Sequence, residues 1–185
     1  MTRHIAFLRA INVGGHVVKN DHLCKLFGEL GCTRVEALLA SGNIIFESRV
    51  ADAAKLARQV ERHLEDALGY EVATFLRTDA ELQRIHAHPA FPAAQLARPD
   101  MRIHVGFLNE PVSKAARSGL LALCTPDDTF HFNARELYWM RRGGIGDSKL
   151  SGPLLERTLG APLTMRNVNT VAKLVAKYPP ETGDK

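Results

Sequence analysis

HIAFLRAI (residues 4–11) is a short apolar run that ends just before the Gly14-Gly15 pair, and MRIHVGFL (101–108) is a second run of the same kind. Apolar runs of this length, bounded by turn residues, read as central strands. The segments downstream of each run decide the fold. Behind the first, Asn20 stands as a helix cap, Leu23, Leu26, Phe27 and Leu30 recur at helical spacing, and Gly31 closes the helix. RVEALLA (34–40) and NIIFES (43–48) then read as two strands joined through Ser41-Gly42-Asn43, a glycine-centred turn. Asp52 opens a longer helix with Leu56, Val60, Leu64 and Leu68 along one stripe. Gly69 ends it, and YEVATFLR (70–77) is a fourth strand.

Behind the second run the same order returns. SKAARSGLLALC (113–124) is a helix capped by Ser113, DTFHFNA (128–134) and ELYWMRR (136–142) form a hairpin, a helix covers 152–159, and PLTMRN (162–167) is a strand. Each pass is βαββαβ. Corresponding segments recur about 92 to 98 residues apart although the residues barely match, which predicts a structural duplication. A βαββαβ unit is the split βαβ of ferredoxin-like folds, a four-stranded antiparallel sheet with both helices on one face. The predicted class is therefore α+β: two tandem ferredoxin-like (α/β-plait) units plus a C-terminal helix, NTVAKLVAKY (169–178). The first domain is set at 1–78 and the second, with that helix, at 101–178. Between them, 79–100 is a connection with one helical piece, AELQRIHA, followed by Pro89, Pro92 and Pro99, and PPETGDK (179–185) reads as a disordered tail.

At 185 residues and 45% hydrophobic composition the chain can bury one core or two small ones. No segment approaches the roughly 20 apolar residues that span a bilayer, and the polar residues of MTRHIAFLRAINVGG interrupt any secretory apolar region, so a cytoplasmic protein without membrane contact is expected. Cys24, Cys32 and Cys124 form no CxxC pair and are expected to be buried thiols. The net charge of +4 divides unevenly: residues 1–100 carry twelve basic and twelve acidic residues, and 101–185 carry twelve against eight. The excess gathers from the last hairpin onward, which favours an anionic partner there.

That region contains RRGGIGDSKLSG (141–152), which has the glycines, hydroxyl and lysine of a phosphate loop in the wrong order. Proline is tolerated in a first helical turn and not further in, so Pro153 places the helix start at a Ser151 cap and leaves Ser148-Lys149-Leu150 in the loop. A Walker loop needs Gly-Lys-Ser/Thr opening directly into its helix, so that reading is excluded. Two readings remain: an anion site built from amides near Gly144 and Gly146 with the Ser148 hydroxyl and the Lys149 ammonium, or a turn whose polar groups satisfy one another. The run TMRNVNTV (164–171) is a second polar patch. Asn169 or Thr170 suits a helix cap there, while Arg166 and Asn167 are candidates to face a ligand.

Other chemistry finds little support. The eight histidines are scattered, and the close pair His86 and His88 lacks a cysteine or acidic neighbour, so no metal is expected. No GxSxG, HExxH or nucleophile with an evident base occurs, so there is no recognisable catalytic constellation, and no cofactor is implied. Phe7, Tyr138 and Trp139 are the candidates for stacking nucleic-acid bases on a sheet, against the alternative that they are core. Tandem sheets also suit a dimeric interaction protein; nothing in the sequence fixes the oligomeric state.

Taken together, LRAINVGG (8–15), SGN (41–43), GIGDSKL (144–150) with LLERTLG (154–160), and TMRNVNTV (164–171) resemble the mostly bacterial family known as domain of unknown function 1697. The resemblance covers almost the whole chain and implies two ferredoxin-like domains in tandem, with no activity to carry over. The family pattern usually has glycine where this chain has Ala10 and an aromatic residue where it has Val168; Ala10 matters little if the first strand runs through it. Its motifs fall at strand ends and loops, where sites tend to be built. The expected function is therefore binding of a small anionic or nucleotide-like ligand at the domain junction, by Arg9, Asn12, Gly144, Gly146, Ser148, Lys149, Arg166, Asn167 and Asn169. A nucleic-acid-binding module using the basic second domain is the alternative.

Overall fold

The computed structural model describes residues 1–12 and 15–180. Expectations that rest on Gly14 and on tail residues 181–185 lie outside them. The chain forms two compact units, one of Met1–Gln83 with Leu174–Lys185 and one of Arg84–Lys173.

The first unit runs β1 (Thr2–Leu8), α1 (Asn20–Glu29), β2 (Thr33–Ala37), β3 (Asn43–Ser48), α2 (Ala53–Leu68) and β4 (Thr74–Thr78). Its sheet has the order β2-β3-β1-β4, with every pairing antiparallel. Strand residues alternate between faces. Ala6 pairs with Ile44 on one side and Leu76 on the other, and this face packs with Leu23 and Phe27 of α1 and Leu56, Val60 and Leu64 of α2. Local signals set the ends of α2. The Asp52 carboxylate accepts from the Lys55 amide at 3.0 Å, and Gly69 takes the left-handed conformation at the other end.

α3 (Asp79–Ala87) and the four-residue α4 (Ala93–Leu96) come next. The second unit then repeats the plan: β5 (Met101–Phe107), α5 (Lys114–Leu121), β6 (Asp128–Asn133), β7 (Glu136–Arg142), α6 (Gly152–Leu159), β8 (Thr164–Asn167) and α7 (Val168–Lys177). Its sheet order, β6-β7-β5-β8, is that of the first unit, again antiparallel throughout. Phe130, Leu137 and Trp139 form one core with Leu120 of α5 and Leu155 and Leu159 of α6. Ser113 and Ser151 cap these helices by accepting from Ala116 and Leu154. The protein is thus α+β, two tandem ferredoxin-like units plus a C-terminal helix.

Several local expectations give way to non-local partners. Lys19, not Asn20, holds the cap position of α1, and the Asn20 amide group donates to the Leu39 carbonyl at 3.3 Å. β1 stops at Leu8 because the chain turns: Ala10 has φ of 65° and Asn12 of 55°. The strand does not continue through Ala10, so the glycine usual there has a physical reason, since a Cβ is strained in that conformation. Of the cysteines, Cys32 is buried, with its thiol pushed up to about 11 by desolvation, Cys24 is half-buried and Cys124, beyond the end of α5, is exposed. The last turn of α7 belongs to the first unit. There Glu36 accepts from Lys177 Nζ at 2.8 Å and from the Tyr178 hydroxyl at 2.6 Å, and Arg3 donates to the carbonyl of Pro179 at 3.0 Å.

Candidate functional site

The loop after β7 is organised by carboxylates of its own chain. Asp128, buried at the start of β6, accepts from Trp139 Nε1 and Arg141 Nη1, both at 2.9 Å, and from the Ser148 hydroxyl at 3.4 Å. Ser148 Oγ in turn accepts from the Leu150 amide at 3.0 Å. The Gly144 amide donates to Asp147 at 3.1 Å, and Gly143, with φ of 75°, makes the turn that allows this. An anion in this loop would compete with Asp147 for the Gly144 amide and with Asp128 for the Ser148 hydroxyl. Gly146 and Lys149 are exposed. The geometry is that of a self-satisfied turn.

Arg166 is buried on β8. Its Nη1 donates to Thr164 Oγ1 at 2.9 Å and to the Met165 carbonyl at 2.8 Å, and burial pushes its guanidinium down to about 10. Asn167 ends the strand and starts α7: its side-chain oxygen accepts from the Asn169 amide at 2.9 Å. Asn167 is thus the capping residue in place of Asn169 or Thr170, and one of the two residues that capping was not expected to explain is explained by it.

Asn167 and Asn169 line one groove of about 290 Å³, together with Arg102 of β5 and the apolar Leu96, Met101, Ile103 and Val168. Pairing of β5 with β8, which sets His104 against Asn167, brings these distant segments together. Arg102 Nη1 donates to the carbonyls of Pro99 at 2.7 Å and Met101 at 2.9 Å, leaving its Nε and Nη2 hydrogens uncommitted among the described residues. The groove therefore offers a cationic fork, two amide side chains and the N-terminus of a ten-residue helix beside apolar lining residues.

In the first unit Asn12 is a loop organiser. Its side-chain amide donates to Ala40 at 2.6 Å and its oxygen accepts from the Val18 amide at 2.8 Å. Arg9 is exposed, and its backbone amide donates to Ala73. A cavity of about 320 Å³ in this unit is lined by Arg3, Arg34, Glu36, Glu47, Lys177 and Tyr178 among others. Its cations already have counter-ions: Arg34 meets Glu47 at 3.1 Å, Lys177 meets Glu36 at 2.8 Å and Arg3 meets Asp79 at 3.4 Å. Hydrogen bonds from Lys177 and Tyr178 hold the Glu36 carboxyl below its ordinary range. An incoming anion would have to break such pairs, whereas Arg102 of the second unit's groove has no carboxylate within salt-bridge distance among the described residues.

Phe7, Tyr138 and Trp139 are all buried, at 0%, 3% and 1% exposure, which leaves none of them as a platform for bases. Among the described residues no helix is long and apolar enough to cross a membrane.

The sequence pattern of the family described as protein of unknown function (DUF1697) matches residues 1–138, three quarters of the chain. The chain belongs to the DUF1697 family. The match includes LRAINVGG and SGN; the polar residues from Gly144 to Asn169 lie beyond it. No curated protein matches this DUF1697 chain. Among solved structures it is similar to the conserved bacterial protein SP0830 from Streptococcus pneumoniae, with a TM-score of 0.74 and 22% identity over 96% of this chain and 98% of that one. At that identity the likeness shows the fold. Arg102 and Asp128 were absent from the sequence-derived set: the first is an ordinary strand arginine, and the second reads as a helix or hairpin boundary until the sheet register is known.

Proposed function

We propose that this DUF1697 protein binds a small anionic, nucleotide-like ligand in the groove of its second unit, with no catalysis assigned. The observation that carries the reading is that Arg102, Asn167 and Asn169 line one groove together with apolar side chains. Each part answers a part of such a ligand. A phosphate suits the Arg102 guanidinium and the positive end of the α7 dipole. A base suits the apolar side chains, with the two asparagines to read its polar edge. The basic excess of residues 129–178, eight against three, adds long-range attraction for an anion.

Calorimetric titration with purine and pyrimidine mononucleotides, and with inorganic phosphate alone, tests this. Nucleotides are expected to bind more tightly than phosphate. Arg102→Ala is expected to weaken them by about tenfold or more, the worth of one charge-assisted hydrogen bond. Lys149→Ala is expected to leave binding unchanged. Absence of saturable binding to every nucleotide, or binding indifferent to Arg102→Ala in a folded variant, removes the reading.

A further inference from the structure

His88, just past the end of α3, and His131, the fourth residue of β6, meet in the second unit with their Nε2 atoms 3.0 Å apart. The ring planes are inclined by 32° and the centroids are 5.1 Å apart. By sequence, His88 would be judged beside His86; its partner in space is 43 residues away. Two bare nitrogen lone pairs do not face each other at this distance without something between them. In the protein alone that is one shared proton, with one imidazole donating N–H to the other.

We propose that the pair also takes a divalent transition-metal ion of the zinc and copper class in place of that proton. Metal–imidazole bonds of about 2.0–2.1 Å, at angles from square to tetrahedral, put two ring nitrogens about 2.9 to 3.3 Å apart. The pair already has this separation, so chelation needs the rings to turn but not the two nitrogens to move apart. Imidazole nitrogen suits these metals, and their affinities rise towards copper. Tyr138 and Phe91 lie beside the two rings, with centroids 5.3 Å from His88 and 6.3 Å from His131 respectively, and they give the ion an apolar flank that strengthens binding.

Among the described residues no group of three or more His, Cys, Asp or Glu is placed to hold a metal. The remaining coordination positions thus belong to water, and the site is an open, exchangeable one, not a closed structural centre. Because its two ligands come from the segment after α3 and from an edge strand, the ion cross-links the connection to the second sheet. The site shares no residue with the groove of the second unit, so metal binding and nucleotide binding stand or fall separately.

Untagged protein titrated with zinc chloride is expected to bind one equivalent. Two-bond proton–nitrogen NMR spectra of the histidine rings are expected to show the Nε2 resonances of His88 and His131 both moving and saturating together. His88→Ala and His131→Ala are each expected to weaken zinc by about tenfold or more, and His86→Ala to change nothing. Zinc that leaves both Nε2 resonances in place, or that shifts other histidines at saturation while these two stay, overturns the proposal. The wild-type spectra decide this even if a variant fails to fold.

Discussion

The indole nitrogen of Trp139 lies 2.9 Å from Oδ1 of Asp128, and that oxygen also receives Arg141 at 2.9 Å. With Thr125 donating to its other oxygen at 3.1 Å, this buried carboxylate fastens the start of β6, the middle of β7 and the loop beyond it to one point. Removing it strands a guanidinium that is only 8% exposed. Breaking one partner of a buried, hydrogen-bonded ion pair costs about 3–5 kcal/mol, because the other charge is left uncompensated. Asp128→Ala is expected to lose that much in urea denaturation, and Asp128→Asn, which keeps an acceptor oxygen, clearly less. A loss below about 1 kcal/mol for the alanine variant, the size of an exposed pair, would mean that Asp128 is no hub.

Ala10 offers a test in the opposite direction. Its φ of 65° lies in the left-handed region, where a Cβ costs about 1–2 kcal/mol. Glycine removes that strain and gives back about 0.4–1 kcal/mol through the greater freedom of the unfolded chain. Ala10→Gly is therefore expected to stabilise the protein by roughly 0.5–1 kcal/mol on these figures, with a small rise in melting temperature. A fall in melting temperature would place Ala10 in an unstrained conformation.

Local reading of the sequence succeeds where a residue acts on its own turn. Pro153 sets the start of α6 at Gly152 with Ser151 as cap, because proline constrains its own backbone whatever surrounds it. Asp52, Gly69 and Ser113 likewise work within a few residues of themselves. Asn20 misled because its amide finds Leu39, a partner that only the folded chain supplies. The candidate site was half legible. Asn167 and Asn169 stood out as a polar cluster, whereas Arg102 joins them only through the β5–β8 pairing. Ser148 looked available because its partner Asp128 stands 20 positions away.

His4 predicts how stability depends on pH. It lies on the helix-facing side of β1, 3% exposed, stacked on Phe46 at 5.6 Å, and neither ring nitrogen has a hydrogen-bond partner among the described residues. Desolvation lowers its pKa, outweighing the opposing pull of Glu81 and Asp79. The folded state therefore binds the proton less readily than the unfolded chain, which takes it near pH 6.5. Stability is full above that value and is lost as pH falls below it, until the lower folded pKa is reached. His104, whose Nδ1 is also buried without a partner and whose pKa desolvation also lowers, acts with the same sign. Urea midpoints measured from pH 8 to pH 5 are expected to fall below pH 6.5 in the wild type and to fall less in His4→Phe. Parallel curves for the two proteins would exclude His4 as a contributor.

Val168 gives the groove its sharpest test. It lies at the first position of α7, half-buried and lining the same groove as Arg102 and Asn169. An aromatic side chain there would add a ring to the groove lining while leaving the Arg102 guanidinium in place. Stacking of a base on an aromatic residue is worth about 1–3 kcal/mol, or roughly five- to 150-fold in affinity. Val168→Trp is expected to tighten mononucleotides within that range and to leave inorganic phosphate unchanged, since phosphate has no face to stack. Equal tightening of both ligands would point to a general gain in positive potential or order at the helix start. No tightening of either, in a variant with unaltered melting, would count against a base beside Val168.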